Sequence, residues 1–196
     1  LHRVFLPFAK FIAPVWITYS IVPEDYRFAT ESDAKQASVH TAIGLQRKDR
    51  AYGKIHVNFG EPIRTANYML SASANGKLQK PVVAEFQKDV TDALLRLVTL
   101  TPVNVFALVA SEALAGDYDR PISIRELTGP AQRVISESRN KGVNVSGDLL
   151  YDSGSQLEMA LQRAADKLVW RGGLTPSESC HMVSEPRLIG YYANHI

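Results

Sequence analysis

Apolar and polar residues alternate through the segment Tyr52–Ile63, whose sequence is YGKIHVNFGEPI. Ile55, Val57 and Phe59 are separated from one another by single polar residues, which is the period of a strand with one buried face. The glycine that follows permits a turn, and the proline after it lacks the backbone donor that a strand ladder needs. The pattern predicts one strand, buried through its apolar positions, that ends in a turn.

A second predicted strand covers residues 12–22, IAPVWITYSIV, and starts near Pro14. This nearly continuous apolar run is typical of a strand that is buried on both faces in a parallel sheet. Between the two strands, residues 34–50 have apolar positions at helical spacing, with Val39 and Ile43 on one side. Strand, helix and strand over this length predict a right-handed crossover, which makes the two strands parallel.

Beyond residue 79 the apolar positions recur with the period of an α-helix. Residues 64–80 show no strong period, and we interpret them as the connection that leads out of the sheet. Pro102 separates the first two helices, and Ser-x-x-Glu capping boxes open two further helices at Ser123 and Ser155. The predicted core positions of the first and last helices are Val82, Phe86, Val90, Leu94, Leu97, Leu188, Ile189 and Tyr192.

These elements predict an α/β fold in two parts. A sheet domain covers residues 1–78, and a helical domain, with a winged-helix-like arrangement as one option, covers residues 79–196. The chain has 196 residues, of which 45% are apolar, so it can bury a core. Its single cysteine, Cys180, excludes an internal disulfide framework and fits a reducing compartment.

Charge and hydropathy limit the classes of partner. The formal net charge is +2 and no extended basic patch is visible, so nucleic-acid binding is not indicated. Residues 4–22 and 97–111 are apolar, but prolines and polar residues interrupt both, and a spanning helix needs ~20 predominantly apolar residues. Contact with a membrane surface stays open through four aromatic residues, for which we favour a position in the core: Phe5, Phe8, Phe11 and Trp16.

The residues alone show no self-contained active site. None of the five histidines has a partner at metal-ligand spacing, and the motifs of a serine nucleophile, a phosphate loop and a paired-cysteine site are missing. His56 is a conceivable general base, but we favour a solvent-facing or hydrogen-bonded strand histidine, because no acid partner can be named. Four cations near strand ends offer a phosphate site, and surface solvation is the favoured interpretation of each: Arg27, Lys35, Lys54 and Arg64.

Several segments, in order along the chain, resemble one family of enzymes. Residues 51–63, AYGKIHVNFGEPI, and 12–24, IAPVWITYSIVPE, are similar to two strand blocks of the glycerol-3-phosphate and dihydroxyacetone-phosphate acyltransferases of the large bacterial branch. Their helical segments are similar to residues 100–116 (LTPVNVFALVASEALAG), 123–146 (SIRELTGPAQRVISESRNKGVNVS) and 185–196 (EPRLIGYYANHI). The resemblance implies the C-terminal portion of such an enzyme, with the end of its acyltransferase α/β sheet domain followed by its helical region.

The chain departs from this family at the catalytic motif. The acyltransferases carry an H-x-x-x-x-D motif, whose histidine acts as general base on the glycerol phosphate hydroxyl and whose aspartate orients the imidazole. This motif is absent, since the segment that begins at His56 ends in Glu61 and belongs to a later block. The family's arginine motif and its phosphate-binding block are absent too. We therefore expect no catalytic residue in this chain and place the missing motifs before Leu1, in a longer protein.

The resemblance implies an enzyme that moves an acyl group from acyl-CoA or acyl carrier protein to the sn-1 hydroxyl of glycerol 3-phosphate, with dihydroxyacetone phosphate as the other acceptor. This reaction is the first step of phospholipid synthesis and uses no cofactor beyond the acyl donor and no metal. The resemblance also implies a peripheral protein on the cytoplasmic face of the bacterial inner membrane, without a nucleic-acid partner.

Five residues are predicted to shape the substrate cleft by position, because strand ends line the crevice of open α/β sheets. Plain turn geometry explains the glycine and the two prolines among them equally well. An alternative function is a non-catalytic module of the same fold that binds a membrane or docks a protein. A winged-helix nucleic-acid binder is a third option, which the lack of a basic stripe disfavours. The five predicted residues are Pro14, Tyr19, Gly60, Glu61 and Pro62.

Overall fold

The computed structural model describes residues 10–22, 25, 53–69, 80–151 and 153–194, which form two compact units. The strand unit comprises the described residues up to Thr18 together with Val57–Val98. The helical unit comprises those within Tyr19–His56 and Thr99–Ile196. The predicted boundary between the domains 1–78 and 79–196 falls outside the described residues, so this division stays a prediction. The predicted helix at 34–50 also falls outside them.

The strands of the first part of the chain form antiparallel pairs. The amide of Gly60 donates to the carbonyl of Pro14 over 2.8 Å at one end of a pair, and the amide of Ser20 donates to the carbonyl of Lys54 over 2.9 Å at the other. Residue 14 thus lies opposite residue 60, and residue 20 lies opposite residue 54, so the two strands run in opposite directions. The predicted parallel crossover is therefore wrong for this pair. These strands are β1 (Phe11–Ile12), β2 (Val15–Tyr19), β3 (Ile55–Phe59) and β4 (Ile63–Arg64), with β1 on β4 and β2 on β3.

The apolar face of β3 is the exposed face, which contradicts the prediction of a buried one. Phe59 is 74% exposed and Val57 is 47% exposed, whereas His56 and Asn58 are half-buried. The polar face is covered because it makes specific contacts, such as the 2.6 Å hydrogen bond from Asn58 Nδ2 to the carbonyl of Leu97. The same alternation in β2 overturns the prediction of a strand buried on both faces.

The helices predicted beyond residue 79 are confirmed. The strand unit adds a short helix where only a connection was predicted, and small strand pairs accompany the helical region: β5 pairs parallel with β6, and β7 forms a hairpin with β8. The α/β fold class with a helical region is therefore confirmed. The elements are α1 (Ala66–Met69), α2 (Lys80–Leu95), β5 (Thr99–Leu100), α3 (Pro102–Leu114), α4 (Ile124–Asn140), β6 (Asn144–Val145), α5 (Gly154–Trp170), β7 (Leu174–Ser177), β8 (Cys180–Val183) and α6 (Pro186–Ala193).

One of the two predicted capping boxes forms its cap. Ser123 accepts a hydrogen bond from the amide of Glu126 over 3.2 Å and so opens α4, while the Glu126 carboxylate pairs with Arg120 at 2.8 Å. The second prediction, a cap at Ser155, is wrong. The helix α5 begins at Gly154, so Ser153 is the residue that precedes it, and the side chain of Ser153 makes no capping bond. Side-chain caps satisfy the amides that a helix leaves unpaired in its first turn.

The core of the helical unit is centred on α3, which packs against α4, α5 and α6. Full burial of a leucine or phenylalanine side chain contributes about 1.5–3 kcal/mol. The amide and carbonyl of Ile122 pair with those of His181 at 2.9 and 2.8 Å. These bonds join the segment between α3 and α4 to β8. The largest buried side chains include Phe106, Leu127, Ile135, Leu157, Leu161, Leu168 and Leu188.

A buried asparagine joins α3 to α6. Asn104 accepts from the Thr101 hydroxyl over 2.6 Å and receives the Thr101 amide at 3.2 Å, which closes a cap at the start of α3. Its Nδ2 donates to the carbonyl of Tyr192 over 3.0 Å, at the end of α6. The asparagine thus satisfies backbone groups of two helices that are far apart in sequence.

Replacement Asn104→Ala is expected to lower the free energy of unfolding by about 2–4 kcal/mol, because it removes a helix cap and leaves a buried carbonyl without a donor. Denaturant unfolding measures the loss. The matched control is Asn140→Ala at the exposed end of α4, which should change the free energy by only about 0.5 kcal/mol. A cost for Asn104→Ala as small as that of the control would contradict this role.

Candidate functional site

A cleft of about 590 Å³ opens in the strand unit where β3 ends. Its first wall is the turn predicted from the sequence, and its second wall is one face of α2. Residues with oxygen acceptors, a guanidinium and an aromatic hydroxyl all face into it. The described lining residues are Phe59, Gly60, Glu61, Pro62, Ile63, Tyr68, Asp89, Asp92, Ala93, Arg96 and Leu97.

The turn is held by a close approach between Gly60 and the residues behind it. A Cβ on Gly60 would lie 3.1 Å from Leu97 Cδ1 and 3.2 Å from Pro14 Cγ, which is tighter than ordinary packing. The Gly60 amide also donates to the Pro14 carbonyl. Pro14 is buried and supports the turn from behind, so it acts on the shape of the cleft without lining it.

Three of the five predicted site residues line the cleft, and Pro14 and Tyr19 are not among its described lining residues. Gly60, Glu61 and Pro62 line the cleft together. Tyr19 lies at the end of β2 in the helical unit and is not among the described residues that line the cleft. No observation tests what these residues bind, so their role in a substrate cleft stays a prediction.

Sequence reasoning missed the most distinctive contact of the cleft. Tyr68 on α1 donates a short hydrogen bond to the carboxylate of Asp89, and its ring meets Phe86 edge to face with centroids 5.0 Å apart. That hydrogen bond, with burial and the nearby carboxylate charges, raises the pKa of Tyr68 to about 12. The sequence pattern predicts only a connection for residues 64–80, which include Tyr68. The available signal was the helical spacing of Asp89, Asp92 and Arg96, which places the two carboxylates on one face of α2 and the guanidinium just beyond its end.

The charges of the cleft indicate the kind of group that it suits. Glu61, Asp89 and Asp92 bring carboxylates, and Arg96 brings a guanidinium. Carboxylates accept hydrogen bonds from hydroxyl and amide groups and repel a phosphate. The cleft therefore suits the uncharged polar part of a ligand better than its anionic part.

His56 does not match the interpretation of a solvent-facing or hydrogen-bonded histidine. Its Nε2 is buried and has no hydrogen-bond partner within the part of the chain that the structure describes. Burial lowers the pKa of His56, while Asp148 raises it and Lys54 lowers it. His56 belongs to the helical unit and is not among the described residues that line the cleft.

Among the residues that the structure describes, no helix has the length and apolar character needed to cross a bilayer. The most apolar helix, α3, has 13 residues, whereas spanning needs ~20. Within the same part of the chain, no group of three or more histidine, cysteine or acidic residues is arranged to hold a metal ion.

Comparison with known families decides the classification. The family described as glycerol-3-phosphate acyltransferase C-terminal region matches residues 39–196, which is well over half of the chain. The chain belongs to this family. The resemblance seen in the sequence is therefore confirmed as a C-terminal region of a glycerol-3-phosphate acyltransferase, and the cleft described above belongs to that region. No curated protein matches the chain.

Replacement Asp89→Asn is expected to bring the pKa of Tyr68 from about 12 back towards its ordinary value of 10.0, because it removes the charged acceptor that holds the phenol proton. NMR of the Tyr68 ring during titration with base measures this pKa. Asp92→Asn, on the same helix and in the same cleft, is the control and should leave it unchanged. A pKa of Tyr68 that is unchanged in the Asp89→Asn variant would contradict the hydrogen bond.

Proposed function

We propose that the chain is the C-terminal part of a glycerol-3-phosphate 1-O-acyltransferase. The enzyme transfers an acyl group from acyl-CoA or acyl carrier protein to glycerol 3-phosphate, in the first step of phospholipid (CDP-diacylglycerol) biosynthesis. The observation that carries this proposal is the family match over residues 39–196. The ordered sequence blocks of the chain support it.

The chemistry requires a base that this chain does not supply. A hydroxyl near its free pKa is a poor nucleophile towards a thioester unless a positioned base removes its proton. The family's H-x-x-x-x-D motif fills that role, and the sequence contains no such motif. The proposal therefore assigns the base to residues that precede Leu1 in the parent protein.

Within this chain the proposed contribution to the reaction is positional. Glu61 lies in the cleft beside Gly60 and Pro62, at the end of β3. Its carboxylate can accept a hydrogen bond from a hydroxyl of the glycerol moiety or from an amide of the acyl donor's pantetheine arm. The glycine and proline fix the backbone that presents this carboxylate.

In the full-length parent, Glu61→Gln is expected to lower kcat/KM for glycerol 3-phosphate or the acyl donor about tenfold, because a charged hydrogen bond contributes about 1.5–3 kcal/mol. Steady-state assays of lysophosphatidate formation measure the effect. Glu112→Gln, an exposed carboxylate on α3, is the matched control and should leave kcat/KM unchanged. Equal kcat/KM in the parent and in the Glu61→Gln variant would show that Glu61 does not contact the substrate.

The same assay applied to the 196-residue chain alone should give no lysophosphatidate above background. Clear turnover by this chain would contradict the assignment of the base to a preceding segment.

A second candidate function is favoured by an exposed apolar face on the strand unit. Phe11, Val15 and Ile17 are 41–53% exposed, and Val57 and Phe59 are exposed as well, so the interpretation of Phe11 as a core residue is wrong. Contiguous apolar surface of this kind marks interaction sites in soluble domains. This observation supports the alternative of a membrane-associated or protein-docking module.

We propose that this face binds an anionic lipid surface. The protein would then be peripheral to the membrane, on its cytoplasmic side. The guanidinium of Arg64 lies 5.8 Å from the centroid of the Phe11 ring, and Lys10 next to it is exposed. Aromatic side chains beside exposed cations are typical of interfacial binding to anionic lipids. Such contact is compatible with the acyltransferase, whose product is a lipid precursor.

Replacement of Ile17 and Phe59 by serine is expected to weaken binding to phosphatidylglycerol vesicles about tenfold or more, because two apolar side chains are removed from the interface. Vesicle co-sedimentation measures the partition. Met159→Ser, which alters an apolar residue 52% exposed on the helical unit, is the control. Unchanged partitioning of the double variant would rule out a lipid surface and leave a protein as the occupant of this face.

A further inference from the structure

His181 joins the outer half of the β7–β8 hairpin to the segment that precedes α4. The two buried residues of this hairpin are Leu174 at its base and His181, whereas residues 175–179 are exposed. Within the hairpin, His181 lies opposite Pro176. On its other side, its amide donates to the carbonyl of Ile122 over 2.8 Å, and its carbonyl accepts from the amide of Ile122 over 2.9 Å. The histidine therefore links β7 to the start of α4.

This link also bears on a groove of the helical unit. The groove has a volume of about 660 Å³ and is lined by the start of α4, by one face of α5 and by Ser179 of the hairpin. Ile122 immediately precedes Ser123, the first residue of the α4 wall, and Ser179 lies two residues before His181. The bonds between Ile122 and His181 thus hold two walls of the groove together, and their release would separate these walls.

The side chain of His181 fits its surroundings only as a neutral imidazole. The residue is 6% exposed, and its Nδ1 is buried without a hydrogen-bond partner in the part of the chain that the structure describes. A protonated imidazole carries an N–H on both ring nitrogens, so Nδ1 would become a buried donor without an acceptor. Burial of such a charge is strongly unfavourable. The closed hairpin therefore favours the neutral ring.

The charged neighbours of the ring do not cancel this preference. β7 and residues 121–123 contribute no titratable side chain. The helix α5 contributes Asp166, whose carboxylate accepts a hydrogen bond from Gln162 over 2.8 Å. Burial lowers the pKa of His181 and the charge of Asp166 raises it, with burial the larger effect, so the pKa lies below its usual value of 6.5.

The remaining titratable groups nearby along the chain are oriented or paired elsewhere. Cys180 precedes His181 on β8 and so points to the opposite face of the strand, and Glu178 lies in the exposed turn. Arg120 and Glu126, on either side of the residues bonded to the hairpin, pair with each other at 2.8 Å.

We propose that His181 is a pH-sensitive latch, which holds the outer half of the β7–β8 hairpin against the start of α4 when neutral and releases it when protonated. In the open hairpin the imidazole is in water and recovers its ordinary pKa. The latch therefore contributes its full stability above about pH 6.5 and loses it as the pH falls towards the lower pKa of the closed state. This device goes beyond the function proposed above, because it requires neither the strand-unit cleft nor acyl transfer.

The test measures amide hydrogen exchange by NMR in the 196-residue chain at about pH 7.5 and about pH 5.5, corrected for the intrinsic pH dependence of exchange. The opening constants reported by the amides of His181 and Ile122 should rise at the lower pH by up to about tenfold, because each opening takes up one proton. The amide of Val109, in the buried part of α3, is the internal control and should not follow them.

NMR titration of the His181 ring in the unchanged chain gives its pKa without any substitution, and a value below 6.5 is expected. Asp166→Asn should lower this pKa further, because it removes the charge that favours the protonated ring. Glu158→Gln, which removes an exposed carboxylate from the same helix, is the matched control and should leave the pKa unchanged. In His181→Gln, which has no group to protonate, the pH dependence at Ile122 should disappear.

Three results would overturn the proposal. The first is a His181 ring that titrates at or above its ordinary value in the unchanged chain. The second is an equal loss of protection at Val109 and at the hairpin, which would mean that the whole helical unit unfolds. The third is a pH dependence at Ile122 that persists in His181→Gln.

Discussion

The buried carboxylate of Asp25 is the contact on which the helical unit most depends. Asp25 is fully buried, and Arg171 reaches it with both Nε, at 3.1 Å from Oδ2, and a terminal guanidinium nitrogen. The hydroxyl of Tyr192 donates to the same carboxylate over 2.5 Å and accepts from the amide of Val22 over 3.0 Å. A buried charge without partners is strongly destabilising, so this cluster specifies where the segment after β2 must lie.

The same tyrosine links this cluster to the start of the central helix. Burial, and after it the charge of Asp25, raise the pKa of Tyr192, so the hydroxyl keeps the proton that it donates. The carbonyl of Tyr192 in turn accepts from Asn104, whose side chain caps α3 with Thr101. Three sequence blocks that resemble the acyltransferase family thus meet through buried polar contacts. Their distinctive residues hold the helical unit together, whereas the residues that line the cleft belong to the strand unit.

The sequence predicts local structure well here and long-range structure poorly. Helical periods and the Ser123 cap depend on neighbours within one or two turns, so they are visible in the pattern. The buried face of β3 depends on what packs against it: Asn58 on the polar side donates to the carbonyl of Leu97, while Phe59 on the apolar side stays exposed. In the same way, the turn at Gly60 was predictable from its residues. The wall of the cleft formed by Asp89 was not, because it comes from a helix nearly 30 residues later in the chain.

Asp25 and Tyr192 are expected to act together in holding the segment after β2. A double-mutant cycle of Asp25→Asn and Tyr192→Phe, followed by denaturant unfolding, tests it most directly, because the two side chains share one hydrogen bond. The shared hydrogen bond predicts a coupling free energy of about 1–3 kcal/mol between the two substitutions. Losses of stability that simply add, with no coupling between the two sites, would contradict it.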